Sequence, residues 1–317
     1  MSRSASGHIA GTWNTTWNDL IQKQRGCIKM LTFIVNPAAG NGYALRTETM
    51  LREELARRGI EAAFVQTEKP GHATALACAA AAEPGCTGVV AVGGDGTAYE
   101  VACGLMDTQI PLGIIPAGTG NDFIKTVGIP NKPLQALELI LKNEPRPVDV
   151  GRMNDQLFLN VSGTGFDVTV LDYTLAAKKY VRGILPYLIG LIRGIAHYKP
   201  VHIRFTVDGV TEERDVLICS IANGRFFGGG IPICPDAAPD DGYFDLVVVE
   251  NKPRWMIPFY IPGLLFGKVL TFPFTAHRRC KEVTIVSKGM RLNMDGEVSV
   301  MDRAEYRLLG GALKLFW

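Results

Sequence analysis

The sequence lacks a strong charge imbalance, a long uninterrupted apolar run and a paired-cysteine motif, and each absence excludes a class of protein. Its 317 residues carry a formal net charge of only +2, so the composition gives no reason to expect a nucleic-acid partner. Residues 255–272 are mostly apolar, but prolines and glycines interrupt them, and a spanning helix needs about 20 predominantly apolar residues. The seven cysteines are scattered and lack C-x-x-C, which indicates buried free thiols in a reducing cytosol, not disulfides or a zinc site.

The usual nucleotide-binding motifs are also missing. There is no G-x-x-x-x-G-K-[ST]. Neither Gly94-Asp95-Gly96 nor Gly118-Thr119-Gly120 continues as G-x-G-x-x-G, because Tyr99 and Phe123 stand at the third glycine position. The histidines show no metal-ligand spacing, and no Ser-His-Asp nucleophile arrangement is legible. A nucleotide site would therefore have to be built from glycine loops of another kind.

The most informative stretch is residues 89–97, an apolar run that ends in three glycines, a carboxylate and a hydroxyl. Val89–Val92 is typical of a buried parallel strand, and residues 98–106 have the composition of a helix. The glycines between them have no Cβ, so their N–H groups can approach a phosphate at the positive end of the helix dipole. Asp95 would act beside that phosphate through Mg²⁺ or its water shell. A strained turn without a ligand is the alternative interpretation.

Similar strand-and-loop units lie on both sides of this stretch. The predicted strands are residues 30–35, 61–66, 86–92 and 111–115, and the predicted helices are residues 44–58, 73–82 and 98–106. This alternation predicts an α/β domain with a parallel sheet and helices on both faces. Loops at the carboxyl ends of parallel strands gather in one crevice, so we expect Asn36, Thr67, Asp95 and Thr119 to meet there.

From about Arg146 the pattern changes to short β-like runs separated by turns, which predicts an antiparallel sandwich or barrel. The runs are residues 148–150, 157–162, 201–207, 216–222, 244–249, 283–286 and 291–294. Helical insertions at 172–197 and 255–268 interrupt them. The first insertion mixes cations with an aliphatic and aromatic face, so it either lies on an anionic membrane or packs on its own sheet. Residues 1–28 are polar and irregular, and we expect a poorly ordered extension there.

Two acidic turns offer further carboxylates. Residues 293–297 would supply a general base if they folded back onto the crevice, although Asp-Gly-Glu is also an ordinary hairpin turn. Residues 235–244 hold Asp236, Asp240 and Asp241 but lack the spacing of a calcium-binding hand. They predict either a hard-cation site or a solvated turn.

In order and spacing, these motifs resemble the bacterial soluble diacylglycerol kinase family, which includes the YegS-like lipid kinases. The resemblance covers about Met30 to Trp317. It rests on Asn36-Pro37-Ala38-Ala39-Gly40, Gly93-Gly94-Asp95-Gly96-Thr97, Gly118-Thr119-Gly120-Asn121-Asp122, Asp241-Gly242-Tyr243-Phe244-Asp245 and Asp295-Gly296-Glu297. Gly-Gly-Asp-Gly-Thr alone is shared with NAD kinases and, more loosely, with phosphofructokinases, so the full series is the specific signal.

The resemblance implies an α/β nucleotide-binding domain, a β-sandwich domain and an active site in the cleft between them. The implied bounds are 29–145 with about 303–317 for the first domain, and 146–302 for the second. The implied ATP contacts are Asn36, Pro37, Ala38, Ala39, Gly40, Thr67, Gly93, Gly94, Asp95, Gly96, Thr97, Ala98, Tyr99 and Thr119. Family loops often carry Ser or Thr where Ala39 stands, so phosphate contact there would fall to backbone N–H groups.

The resemblance also implies the chemistry. Glu297 would be the general base for the lipid hydroxyl, and Asp95 would act through the catalytic Mg²⁺. A structural Mg²⁺ would lie on the Asp241 carboxylate and on main-chain oxygens of Ala238 and Tyr243.

The implied activity is an ATP-dependent diacylglycerol kinase that yields phosphatidic acid. We expect a cytoplasmic protein attached peripherally to the inner face of the membrane, and a homodimer is left open. The alternatives are a kinase for another lipid alcohol, such as a sphingoid base, ceramide or phosphatidylglycerol, and an NAD kinase. A nucleotide-sensing regulator is the non-enzymatic alternative, and the presence of Glu297 disfavours it.

Overall fold

The computed structural model describes residues 30–181 and 185–317, and the expected extension at 1–28 lies outside them. The strands are β1 Met30–Val35, β2 Ala62–Gln66, β3 Cys86–Gly93, β4 Leu112–Pro116, β5 Arg146–Met153, β6 Gln156–Phe158, β7 Val161–Gly165, β8 Val201–Val207, β9 Val210–Ala222, β10 Phe226–Phe227, β11 Ile231–Pro232, β12 Phe244–Glu250, β13 Thr275–Cys280, β14 Glu282–Met294 and β15 Glu297–Leu315. The α-helices are α1 Tyr43–Arg57, α2 His72–Ala82, α3 Asp95–Leu105, α4 Asp122–Val127, α5 Pro133–Lys142, α6 Phe166–Lys178, α7 Leu185–His197 and α8 Ile257–Leu265.

The first four strands pair in parallel in the order β2, β1, β3, β4. Strands β1 and β3 are apolar along most of their length because both of their faces are covered, as in a sheet with helices on each side. Phe33, Leu51 and Leu105 are fully buried there. Each contributes roughly 1.5–3 kcal/mol of hydrophobic stabilisation. The strand bounds agree with the sequence-based prediction to within about a residue.

Helix α3 begins at Asp95, three residues before the predicted start. Gly94 is the N-cap residue with extended backbone, so the chain turns directly from β3 into the helix. Asp95 in the first turn is favourable because its negative charge faces the positive end of the helix dipole. The sequence-based bound was wrong because Gly96 and Thr97 are weak helix formers that a first turn tolerates.

The second half of the chain is antiparallel and is organised by two long strands. Strand β9 pairs with β8 through its first half and with β7 and β12 through its second half. Strand β14 pairs in the same way with β8 and then with β7. Each long strand therefore passes from one layer of the core to the next. The apolar side chains between the layers include Phe158, Phe205, Phe244 and Tyr306.

Three predicted element bounds in this half were wrong. The runs 283–286 and 291–294 form one strand, β14, with a register shift between Val286 and Met290. The run 157–162 divides into β6 and β7. The insertion 172–197 starts earlier and forms two helices, α6 and α7, with a gap in the described residues between them. For the two strand runs, pairing partners rather than local composition set where the element ends.

The chain ends beside the first sheet. Leu315 of β15 pairs in parallel with Leu112 of β4, and the Phe316 N–H donates to the Leu112 carbonyl at 2.9 Å. The earlier part of β15 pairs with β14 and β5, so only its last residues contact the parallel sheet. Among the described helices, none is long and apolar enough to cross a bilayer.

Candidate active site

The loops after β1 and β3 lie against each other. The Asn36 side-chain amide donates to the Thr97 hydroxyl at 3.1 Å, and the Ala38 N–H donates to the Asn36 side-chain oxygen at 3.1 Å. The Thr67 N–H donates to the Val35 carbonyl, which places the end of β2 beside the start of the Asn36 loop. Parallel topology thus brings the predicted loops together at the carboxyl edge of the sheet.

Two glycine loops approach more closely than any side chain would permit. A Cβ on Gly118 would lie 2.3 Å from the Gly94 Cα, and a Cβ on Gly40 would lie 2.3 Å from the Ala117 carbonyl oxygen. A Cβ on Gly120 would lie 2.9 Å from the Asp95 carboxylate. Gly40 and Gly118 are therefore required by packing of backbone on backbone, and Gly120 by the approach of the Asp95 side chain.

Half of the predicted ATP contacts, residues 93–99, lie at the amino end of α3. The first N–H groups of a helix have no acceptor within the helix, so those of residues 95–97 are free to bind an anion. Ala98 differs, because it is buried and its N–H donates to the Gly94 carbonyl at 3.1 Å. Ala98 therefore cannot contribute a direct phosphate contact in this conformation.

Asp95 and Asp122 form a pair of carboxylates at this edge. The Phe123 N–H donates to Asp95 at 3.2 Å, and the Gly229 N–H donates to Asp122 at 2.7 Å. Burial raises the pKa of Asp95, and the negative charge of Asp122 raises it further. We did not predict a role for Asp122 from sequence. The sequence feature that could have indicated Asp122 is its position at the end of the third glycine loop, where α4 begins.

The acidic turn at 293–297 does fold back to this edge. The Asp295 carboxylate accepts hydrogen bonds from the N–H groups of Leu159, Asn160 and Val161 at 2.7–3.1 Å. Burial raises the pKa of Asp295 to about 6 despite these three donors. Glu297 is exposed at the rim of the turn. Burial raises the pKa of Tyr99 on α3, and the charges of Asp295 and Glu297 add to the shift, so the turn lies beside that helix.

A cavity of about 450 Å³ opens from the carboxylates into the second half of the molecule. Asp95, Thr119, Asp122 and Asp295 line its polar end. The rest of the wall is mostly apolar, with Asn160, Asp167, Thr174 and Asn293 as its polar members. The apolar side chains come from α6, α7, α8 and the neighbouring strands and include Phe166, Leu191, Ile218, Ile261 and Leu264. One continuous cavity therefore joins the glycine loops to an apolar chamber.

Asp167 interrupts the apolar wall of this cavity, and sequence reasoning missed it. It lies in the first turn of α6, two residues after Gly165, whose positive φ of 119° turns β7 into the helix. Its Oδ1 atom is buried without a hydrogen-bond partner among the described residues. Burial raises its pKa to about 6, although the Asn293 side chain and nearby backbone N–H groups favour the charged form. Only the fold reveals that this carboxylate faces a chamber.

In the acidic loop at 235–244 the Tyr243 N–H donates to the Asp241 carboxylate at 3.0 Å, and the Gly242 N–H donates to the Asp149 carboxylate at 2.8 Å. Burial raises the pKa of Asp241, and the charges of Asp245 and Asp149 contribute to the same direction. Carboxylate and carbonyl oxygens suit Mg²⁺. In this conformation Asp241 is also paired with Arg279, whose guanidinium lies 4.5 Å from the centre of the Tyr243 ring. The donor chemistry fits a hard cation that displaces Arg279.

Both halves of the chain match known families. Residues 30–153 match the diacylglycerol kinase catalytic domain, and residues 160–317 match the YegS C-terminal NAD kinase beta sandwich-like domain. A diacylglycerol kinase of Mycobacterium tuberculosis (strain CDC 1551 / Oshkosh) is 30% identical over 302 residues, covering 93% of this chain and 97% of the relative. A diacylglycerol kinase of Bacillus subtilis (strain 168) is 29% identical over 284 residues, covering 88% and 93%.

A solved structure is similar over nearly the whole described fold. The crystal structure of a diacylglycerol kinase from Bacillus anthracis str. Sterne superposes with a TM-score of 0.71 at 26% sequence identity. It covers 92% of this chain and 98% of that chain. The α/β half and the β-rich half therefore occur together in a known arrangement.

Proposed function

The chain belongs to the diacylglycerol kinase family and is thus a lipid kinase. From this premise we propose that it transfers the γ-phosphoryl group of ATP to the hydroxyl of diacylglycerol, giving phosphatidic acid. The observation that carries the proposal is the continuity of the cavity. Its polar end borders the glycine loops, and its walls beyond Asp167 are aliphatic and aromatic. A nucleotide phosphate suits the first part and acyl chains suit the second.

The nucleotide would bind across the carboxyl edge of the parallel sheet. Backbone N–H groups of Gly40 and of residues 93–97 would contact its phosphates, and the rest of the Asn36–Gly40 loop would border it with Thr67, Tyr99 and Thr119. The N–H groups of Ala38 and Ala39 already donate to Asn36, at 3.1 and 3.0 Å. The hydrogen bond between Asn36 and Thr97 supports this assignment, because it fixes the two loops relative to each other before ATP arrives.

Divalent metal chemistry belongs to this proposal. Mg²⁺, when bound, would neutralise phosphate charge as the phosphoryl group moves. Asp95 and Asp122 would hold or orient it. Burial and the Asp122 charge raise the pKa of Asp95, and Lys125 already pairs with Asp122 at 3.0 Å. A second, structural Mg²⁺ would lie on Asp241 and on the main-chain oxygens of Ala238 and Tyr243.

We assign the general base to Glu297. In the proposed step the lipid oxygen attacks the γ-phosphorus, the bond from that phosphorus to the bridging oxygen breaks, and ADP leaves with the electron pair. The hydroxyl proton passes to the Glu297 carboxylate. Asp295 is less suited to this role because three N–H donors already bind its oxygens, and it is better placed to hold the turn in position.

Asp167 would orient the lipid. An unpaired carboxylate oxygen in an apolar wall binds a polar group of the ligand more strongly than it would in water. With diacylglycerol, a protonated Asp167 would donate to an ester carbonyl. This residue also gives weight to one alternative, because an amine or amide N–H of a sphingoid base or ceramide would be a good partner for the ionised form.

The mouth of the cavity supports contact with a membrane surface. Trp255, Phe259 and Phe266 are each at least 70% exposed beside α8. Residues 173–199 and 251–272 together carry eight Lys and Arg and no Asp or Glu, which is a formal charge of +8. Because the whole chain has a net charge of +2, the rest of it carries −6. Exposed aromatic rings on segments rich in Lys and Arg suit the surface of an anionic bilayer.

A cavity-filling variant tests the acceptor site. We expect Leu264→Trp to abolish most diacylglycerol-dependent ADP release while leaving ATP binding unchanged, because Leu264 lines the apolar chamber away from the glycine loops. Leu134→Trp on α5 is the matched control, since Leu134 is exposed and lies outside the chamber. Equal activity of Leu264→Trp and wild type on diacylglycerol micelles would contradict an acyl-chain site here. ADP release that requires NAD would favour the NAD kinase alternative.

A further inference from the structure

Three side chains with metal-binding atoms converge in the β-rich half, away from the cavity. The Cys234 sulfur, an Asp245 carboxylate oxygen and a His277 ring nitrogen all lie within 4.8 Å of one another. Cys234 and Asp245 are buried, and the His277 side chain is 30% exposed. The group therefore has a buried floor and one side open to solvent.

The fold brings these residues together from three elements. Asp245 lies on β12 and His277 on the adjacent antiparallel strand β13, and their side chains meet at 2.6 Å between Nε2 and Oδ1. Cys234 opens the acidic loop that leads from β11 to β12. Because 32 residues separate Asp245 from His277, no local motif in the sequence marks the site.

We infer that Cys234, Asp245 and His277 bind a divalent transition metal ion of the Zn²⁺ type, with water completing the coordination. Thiolate, carboxylate and imidazole are the protein ligands that Zn²⁺ takes, and three of them with a water form a common open site. The thiolate and carboxylate charges cancel that of the ion, so a neutral complex is buried. On binding, the thiol proton is released to solvent.

The surroundings of the sulfur suit a metal-bound thiolate. The Cys234 N–H donates to the Arg225 carbonyl at 3.3 Å, and the Ala237 N–H donates to the Cys234 carbonyl at 3.2 Å, so the backbone that carries the sulfur is held on both sides. Hydrogen bonds that orient a ligating residue are the usual support of a metal site. Arg279, the neighbouring cation on β13, is engaged with Asp241 and the Tyr243 ring.

Two other interpretations of the cluster explain less. A nucleophilic cysteine needs access to a substrate, and Cys234 is fully buried. A simple ion pair between His277 and Asp245 leaves the position of the sulfur unexplained. The site also differs from the proposed Mg²⁺ site on Asp241, since sulfur is a poor ligand for Mg²⁺. A bound ion would fasten the start of the acidic loop to β12 and β13.

The test uses the full-length protein, freed of metal by a chelator and kept reduced with a phosphine. Addition of CoCl₂ is expected to give one equivalent of bound ion, with a thiolate-to-cobalt charge-transfer band and the intense visible bands of a tetrahedral site. ZnCl₂ should displace it and raise the melting temperature, and a large excess of MgCl₂ should do neither. These readouts do not depend on kinase activity, so their failure and that of the proposed function are separable.

Matched variants locate the site. Cys234→Ser should abolish the charge-transfer band, and His277→Gln should weaken Co²⁺ binding by ~10²-fold or more because a ligand is lost. Cys280→Ser, a buried cysteine on the same strand as His277, should keep both band and affinity. Absence of the band in wild type, or its equal loss in Cys280→Ser, would overturn the inference. If Cys234→Ser fails to fold, His277→Gln decides, because His277 is partly exposed.

Discussion

Replacing Asp167 with Asn should make the protein more stable and a poorer enzyme. The carboxyl group of Asp167 is buried, one of its oxygens has no partner among the described residues, and burial raises its pKa from 3.8 to about 6. Between those two pH values the folded protein keeps a proton that the unfolded chain has lost. The contribution of Asp167 to stability therefore falls as the pH rises through this window.

The size of the effect follows from the shift. The shift of about two pKa units lowers the free energy of unfolding by ~3 kcal/mol. This loss is fully present above pH 6 and absent near pH 4. Asn carries no charge at either pH, so Asp167→Asn should gain up to that amount at pH 7.5. For a chain of this size the gain is a rise of roughly 5–10 °C in melting temperature. In exchange, kcat/KM for the lipid should fall ~10-fold, because the Asn amide is a weaker hydrogen-bond donor to the ester carbonyl than the carboxylic acid it replaces.

The assay is thermal melting at pH 4 and pH 7.5, together with steady-state kinetics against lipid and ATP. Asp172→Asn is the control, since Asp172 lies on the same helix, is paired with Arg291 and is more exposed. It should show no stabilisation that grows with pH. The reasoning is refuted if Asp167→Asn melts at a lower temperature at pH 7.5, or if it alters KM for ATP and leaves the lipid kinetics unchanged.

Three further predictions concern the base, the glycine loops and the membrane face. Glu297→Gln should leave ATP binding nearly intact while cutting turnover by ~10²–10⁴-fold; a variant with normal turnover would remove Glu297 from the mechanism. Gly118→Ala should cost ~1–3 kcal/mol, measured by denaturant unfolding, because its Cβ would lie 2.3 Å from the Gly94 Cα; an unchanged unfolding midpoint would contradict the packing argument. The double variant Phe259→Ser, Phe266→Ser should co-sediment less with anionic vesicles but turn over a short-chain, soluble diacylglycerol as well as wild type does. Co-sedimentation equal to that of wild type would exclude this face as the membrane-contacting surface.

The parallel strands and their loops could be predicted because the signal is local. Each strand is a short apolar run that ends in glycine and polar residues, and parallel topology then forces Asn36, Asp95 and Thr119 to one edge. The end of the chain was harder. Strand β15 runs for 19 residues, yet Gly310 and Gly311 interrupt its pattern. Its partner β5 lies far away in sequence, although its other partner β14 directly precedes it across the turn at Asp295 and Gly296.

The missed site residues share one cause. Asp167 is a single carboxylate in an apolar segment, and its importance arises only when α6, α7 and α8 enclose a cavity around it. The cluster at Cys234 was missed for the same reason, since scattered cysteines and histidines without ligand spacing favour free thiols on sequence grounds. Long-range pairing of β12 with β13 creates that cluster, and no pattern within either strand predicts it.

The central claim is best tested by following the γ-phosphoryl group itself. The protein would be given γ-labelled ATP and Mg²⁺ with mixed micelles that present diacylglycerol, sphingosine, ceramide and phosphatidylglycerol, and with NAD in the same buffer. The account predicts labelled phosphatidic acid, and label on another of the lipids would keep the mechanism while changing the acceptor. Label on NAD alone, or on none of the acceptors, would contradict the assignment of the apolar cavity to a lipid.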